Sequence, residues 1–127
     1  MKITKLETFT KPYVSFVKST VEDGSTGFGQ MSTYHADITA QIFHKQVAPW
    51  VLGKHYSNFD DLEDFIFERE HKFPGSYLLR AIAGLDTSLW DLKGKIENKP
   101  VVSLIGGNPG HLRIYGSSMK RDIKPFD

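Results

Sequence analysis

Residues 83–95 read AGLDTSLWDLKGK, and they lie inside a longer amphipathic pattern that organises the whole chain. Leu78, Ile82, Leu85, Leu89, Leu92 and Ile96 step by three and four, so a helix over about residues 76–97 would carry one continuous apolar face. A second row on the same helix, Ala81, Gly84 and Ser88, holds only small side chains and lets another backbone come close. The spacing therefore predicts a central helix covered on more than one side. Asp86 and Asp91 interrupt it. On a helix they point about 140° apart and do not converge on one substrate. Asp91 has Lys95 one turn on, in the orientation that favours an ion pair, and Asp86 stands one turn before Trp90 beside the apolar stripe. Both read as scaffold, Asp86 as a half-buried carboxylate held by backbone donors or the indole N–H.

Working outward, Pro74-Gly75 breaks the chain before this helix, and Ser76 is placed to cap it. Residues 57–73, SNFDDLEDFIFEREHKF, predict a preceding helix, with Ser57 or Asn58 as cap. Asp60, Asp61, Glu63 and Asp64 come early, and Arg69, His71 and Lys72 late, which complements the helix dipole. Ala36, Ala40, Phe43 and Val47 predict an earlier helix over residues 37–47, closed by Pro49. Two runs rich in Val, Phe, Tyr and Thr, residues 2–10 and 13–21, are parted by Lys11-Pro12 and read as strands. Asp23-Gly24 signals a tight turn, and a third short strand follows near residues 27–31, where Gly27 and Gly29 permit backbone shapes that other residues resist. Downstream, Asn98 is suited to a left-handed helix end before Pro100, VVSLIGG suggests a short helical turn, and residues 112–118, LRIYGSS, suggest one more strand. The element order is that of an α+β domain.

The 127 residues make one domain of ordinary size, and 39% hydrophobic with 24% charged residues is a globular composition. Sixteen basic against fifteen acidic residues leave a formal charge of +1, so neither nucleic acid nor a membrane surface is an expected partner. With no cysteine, there is no disulfide framework or thiolate metal site. No apolar run approaches the ~18 residues of a membrane span, the start lacks a signal-peptide pattern, and a cytoplasmic location is expected. The five histidines form no metal-ligand spacing, and the glycine-rich stretches GSTGFG and GGNPG read as turns rather than phosphate loops. These patterns yield no catalytic residue and no metal ligand.

RAIAGLDTSLWDLKGK, followed by KPVVSLIGG, resembles the end of the amino-terminal capping domain of the enolase superfamily, in its mandelate racemase and muconate lactonizing enzyme branch. Ala81, Gly84, Leu85, Asp86, Leu89, Trp90, Asp91, Gly94, Lys95, Pro100, Val101, Leu104, Gly106 and Gly107 fall on the family pattern. The resemblance implies a three-stranded antiparallel meander followed by three helices. Residues 1–111 would form the cap, and residues 112–127 the first strand and start of a missing TIM barrel. Family members work through that barrel, which holds Mg²⁺ and the acid/base lysine or histidine and takes ~250 residues. The chain alone is thus expected to be inactive, with no catalytic residue, no metal ligand and no cofactor of its own.

For the intact enzyme, the resemblance implies abstraction of a proton α to a carboxylate, with Mg²⁺ stabilising the enediolate, as in dehydratases, racemases and cycloisomerases of acid sugars or hydroxy acids. The cap would close over the barrel mouth and choose the substrate. Its first specificity loop maps to Phe28, Gln30, Met31, Ser32, Thr33, Tyr34 and His35, and a second, loosely, to Gly53 through Asn58 with Lys54, His55 and Tyr56 as candidates; Ser117 and Ser118 would line the pocket floor. The implied partners are a missing or separately supplied barrel domain, a small carboxylate substrate and further copies of the chain in a homo-oligomer. Residues 117–127 are expected to be disordered or paired with another chain. The alternative is a free-standing binding or oligomerisation module with the same fold.

Overall fold

β2 (Val14–Val21) shows why the first third of the chain forms a sheet: Ser15, Val17, Ser19 and Val21 are buried, while the residues between them face outward. In the computed structural model, which describes residues 1–57 and 59–116, this strand lies between β1 (Ile3–Lys11) and β3 (Thr26–Gln30). Both pairings are antiparallel, with Phe9 opposite Phe16 and Phe16 opposite Gln30, so the order β1-β2-β3 is the expected meander. Gly24, at φ +85°, supplies the left-handed residue of the turn between β2 and β3.

The helices are α1 (Ala36–Ile42), α2 (Ala48–Val51), α3 (Phe59–Arg69), α4 (Ser76–Glu97) and α5 (Val101–Leu104). Between α1 and α2 runs a five-residue π-helical turn, Phe43–Val47, in which the Ala48 N–H reaches back to the Phe43 carbonyl. Pro49 therefore does not close this helical run as expected. The π turn restarts the ladder, and Pro49 falls in the first turn of α2, where its missing N–H has no helical acceptor to serve. Two other ends differ from expectation. Ser76 lies inside α4, whose start at Gly75 has no side-chain cap, and α3 stops at Arg69, leaving His71 and Lys72 beyond it. Asn98 does take the left-handed conformation, at φ 51°, and the Lys99 N–H then closes on the Gly94 carbonyl at 2.9 Å.

α4 lies across the sheet, and one core joins Val17 of the sheet and Leu85, Leu89 and Leu92 of α4 to Phe43 of the π turn and Leu62 and Ile66 of α3. The small-residue row of α4 is where β2 and β3 press in. Ser19 and Ser88 exchange a buried hydroxyl hydrogen bond of 2.6 Å, and Gly84 faces the Met31 side chain. Gly27 and Gly29 correct a reading from the sequence. Neither has positive φ; both are glycine because a Cβ at Gly27 would stand 2.7 Å from the Leu92 nitrogen, and one at Gly29 would stand 2.5 Å from the Ser88 nitrogen. Close approach, not backbone shape, requires them.

Residues 112–116 are not a strand: they form no regular structure, and Leu112, Ile114 and Tyr115 are 88%, 93% and 90% exposed. A strand needs a neighbour for its backbone groups, and among the described residues the sheet has only β1, β2 and β3. Ser117, Ser118 and the tail to residue 127 lie outside the described residues. Among those described, no helix is long and apolar enough to cross a membrane.

Candidate functional site

A three-stranded meander brings the β1–β2 turn and the segment leaving β3 to the same end of the sheet. Here the turn is Lys11-Pro12-Tyr13, closed at its base by a 2.7 Å hydrogen bond between the Thr10 and Ser15 hydroxyls. The segment after β3 is fixed by the Met31 N–H, which donates to the Ser15 carbonyl at 2.8 Å. The Ser32 hydroxyl then donates to the Tyr34 carbonyl at 3.1 Å and accepts the Tyr34 N–H at 3.2 Å and an N–H of Arg80. His35 follows in the left-handed conformation, φ 51° and ψ 48°, where a non-glycine residue carries roughly 1–2 kcal/mol of strain. Its carbonyl takes the Thr39 N–H at 3.0 Å, opening α1, and its ring meets Tyr77 edge-on at 6.1 Å.

Between turn and segment lies a cleft of about 610 Å³ lined by Thr10, Lys11, Pro12, Tyr13, Tyr34, His35 and Asp37. It joins one ammonium, one imidazole, two phenols and one carboxylate around an open hollow. Such a set can recognise the hydroxyls and carboxylate of a small polar ligand, with Lys11 and His35 as donors to the anion and the tyrosine rings as walls. It does not fit a resident Mg²⁺. That ion needs several hard oxygen donors in octahedral array, Asp37 is the cleft's one carboxylate, and no group of three or more metal-ligating side chains occurs among the described residues.

Of the loop residues expected from the sequence, the structure brings Tyr34 and His35 to this cleft, and Ser32 shapes the segment that carries them. Met31 is only 4% exposed and belongs to the core. Phe28 and Gln30 project from the outward face of β3; the Phe28 ring has the Lys18 and Lys95 ammonium groups at 5.9 Å and 5.4 Å. Thr33 is exposed in the same connection.

Lys54, His55 and Tyr56 lie at the other end of β1. His55 bridges to Lys2, the Ile3 N–H reaches the Lys54 carbonyl at 3.2 Å, and Tyr56 exchanges backbone bonds with Met1 at 2.9 Å. From Ile3 to Thr10 the strand advances roughly 23 Å at ~3.3 Å per residue. The two groups thus cannot enclose one small ligand, and residues 54–56 brace the amino terminus. Lys54 covers the Phe65 ring at 4.1 Å, while the Tyr56 hydroxyl donates to the Trp50 carbonyl at 3.2 Å and its pKa is raised by burial.

Thr10, Lys11, Pro12 and Tyr13 escaped the sequence reading, although the meander topology alone already dictates that the first turn faces the exit of β3. Asp37 joins His35 in the cleft, a pair that closeness in sequence does not by itself make a site. Asp91 acts as scaffold in a way the sequence did not reveal. Besides its 2.6 Å pair with Lys95, its carboxylate accepts the Phe28 N–H at 2.8 Å and so satisfies that donor on the outer edge of β3. Asp86 is half-buried on α4.

The family described as mandelate racemase / muconate lactonizing enzyme, N-terminal domain, matches residues 2–106. A D-galactonate dehydratase family member of Pseudarthrobacter chlorophenolicus is 34% identical over 97% of this chain and 31% of its own length. Among solved structures, that of a proposed racemase from Roseobacter denitrificans superposes with a TM-score of 0.91 at 59% identity, over 98% of this chain and 34% of that one. A mandelate racemase/muconate lactonizing protein from Paracoccus denitrificans, complexed with magnesium, gives a TM-score of 0.75 at 32% identity, over 84% of this chain and 30% of that one. The chain spans about a third of the length of these relatives.

Proposed function

Because the chain belongs to the mandelate racemase / muconate lactonizing enzyme family as its N-terminal domain, we propose that it is the substrate-capping part of an acid-sugar or hydroxy-acid dehydratase, racemase or cycloisomerase. Residues 1–111 are the cap, residues 112–127 begin the barrel, and the chain is inert until barrel and cap meet. The observation that carries this reading is the cleft in which the β1–β2 turn and the segment after β3 converge. Lys11 and His35 would bind and orient the substrate's carboxylate and hydroxyls, while Tyr13 and Tyr34 would exclude water from its open side. Magnesium finds no donor set in the cleft. A cytoplasmic location is part of the same proposal.

The test is complementation. The barrel of the Roseobacter denitrificans relative is supplied with this chain, and a panel of aldonates, aldarates and small hydroxy acids, D-galactonate included, is assayed with Mg²⁺. Turnover that needs both parts is the expected result; none across the panel, with the chain folded and bound to the barrel, refutes the reading.

A second reading, a binding or oligomerisation module, is favoured by one feature. Phe9, Phe16 and Phe28 form an exposed diagonal stripe across the outward face of the sheet, at 53%, 37% and 45% exposure. A homo-oligomer would cover it, and tight self-association without turnover in the complementation assay would support this reading over the first.

A further inference from the structure

The segment that carries Tyr34 and His35 is held against α4 at three successive points. Met31 packs on Gly84, the Ser32 hydroxyl takes an N–H from Arg80, and the His35 ring meets the Tyr77 ring. Residues 77, 80 and 84 fall on one stripe of the helix over about 10.5 Å, and the segment from Met31 to His35, turn included, reaches along that length. Residues 31–35 therefore run antiparallel to α4, each anchor one turn from the next.

The three anchors differ in kind. Met31–Gly84 is core packing that any apolar residue of similar volume could supply. The Ser32 contact is specific: a hydroxyl has one donor and two acceptor sites, and here all are used, by the Tyr34 carbonyl, the Tyr34 N–H and Arg80. One oxygen thereby ties the local turn before His35 to a helix 48 residues away in sequence. Arg80 is itself exposed and contributes nothing to the core, so its contact serves the loop rather than the fold.

We propose that Arg80, assisted by Tyr77, is a positioning residue that holds residues 32–35 so that Tyr34 and His35 line the cleft. The proposal rests on the reading of that cleft as substrate-facing. Without Arg80, the Ser32 hydroxyl loses its link to α4, the turn before His35 is free to open, and the two rings leave the wall they form.

The test measures loop order and ligand handling separately. In ¹⁵N relaxation of this chain, Arg80→Met is expected to lower the amide order parameters of Ser32, Thr33 and Tyr34 from near ~0.85 to below ~0.6, while those of Val17 and Leu89 stay unchanged. Ser32→Ala should reproduce the loss, the double variant should add nothing to it, and Arg80→Lys should restore part of the order. The His35 ring resonances should shift in both Arg80→Met and Tyr77→Leu, since each changes the ring contact. Unchanged order in Arg80→Met, or a double variant looser than either single one, overturns the proposal.

In the barrel-complemented protein, with the panel substrate turned over fastest, Arg80→Met is expected to raise KM about tenfold with kcat within about twofold. A loosened loop with KM unmoved also overturns the positioning role. Absence of turnover in the unsubstituted complemented protein instead removes the cleft reading, whatever the loop measurement gives.

Discussion

Gly29→Ala is the sharpest test of how α4 and the sheet fit together. A methyl at this position would stand 2.5 Å from the Ser88 nitrogen and 3.0 Å from Thr87 Cβ, and would press on the Gly84 carbonyl. The nearest obstructions are helix backbone, which no rotamer change can move, so β3 and α4 must separate by roughly 1 Å to restore ordinary contact. That separation loosens the packing of Val17, Met31, Leu85 and Leu89 along the same seam. Overpacking of this kind costs about 1–3 kcal/mol, and a backbone obstruction belongs at the upper end. The gain from replacing a strand glycine offsets about 0.5–1 kcal/mol, leaving a net loss of about 2–2.5 kcal/mol. Against a typical domain stability of about 5–15 kcal/mol this is a large share, and the melting temperature should fall by roughly 8–10 °C. Urea and thermal unfolding followed by far-UV circular dichroism would measure it. Gly110→Ala, with nothing within 4 Å and no positive φ, is the control and should stay within about 0.5 kcal/mol of the parent. If Gly29→Ala behaves like that control, the close approach of strand and helix is not what requires glycine there.

Asp91→Ala removes the acceptor for the Phe28 N–H and the partner of Lys95; with the pair partly exposed, a loss of about 1 kcal/mol in urea unfolding is expected, and Asp91→Asn should recover part of it. Glu70, 8% exposed, accepts the Trp50 indole N–H at 2.6 Å and the Gln46 amide at 2.9 Å, so Glu70→Ala should cost about 2–3 kcal/mol and alter tryptophan fluorescence, while Glu70→Gln should cost less. Partial burial raises the Tyr56 phenol pKa above its ordinary value. The folded chain thus holds this proton more tightly than the unfolded one, and the stability Tyr56 contributes is present below about pH 10 and lost as pH rises through its folded value. Tyr56→Phe should flatten that alkaline decline in stability, and ultraviolet titration of the phenol should locate it.

Periodicity carried most of the architecture. The α4 stripe, the alternation in β2 and the Asp23-Gly24 turn are local patterns, dictated by 3.6-residue and 2-residue repeats and by the few residues that tolerate positive φ. Pro49 shows where local reading fails. A proline normally ends a helix, but the π turn before it depends on hydrogen bonds whose register no single-residue preference specifies. Residues 112–116 show the complementary failure: their strand-like pattern is real, yet a strand exists only with a neighbour.

The cleft divides along the same line. Tyr34 and His35 were found through a resemblance, and the meander order was enough to place the β1–β2 turn beside them. Lys54, His55 and Tyr56, placed by the same resemblance, lie roughly 23 Å away along β1, because sequence distance says little about which end of a strand a later loop will brace. The sequence by itself determined the three-strand meander, the two long helices α3 and α4, their order and the small-residue face of α4, since each follows from short-range spacing. Only the tertiary structure decided that Gly27 and Gly29 are glycine for want of room, that Asp91 accepts the Phe28 N–H on the edge of β3, and that Arg80 reaches the loop. Those are contacts between residues 48 or more apart, and they exist only once the sheet has closed on the helix.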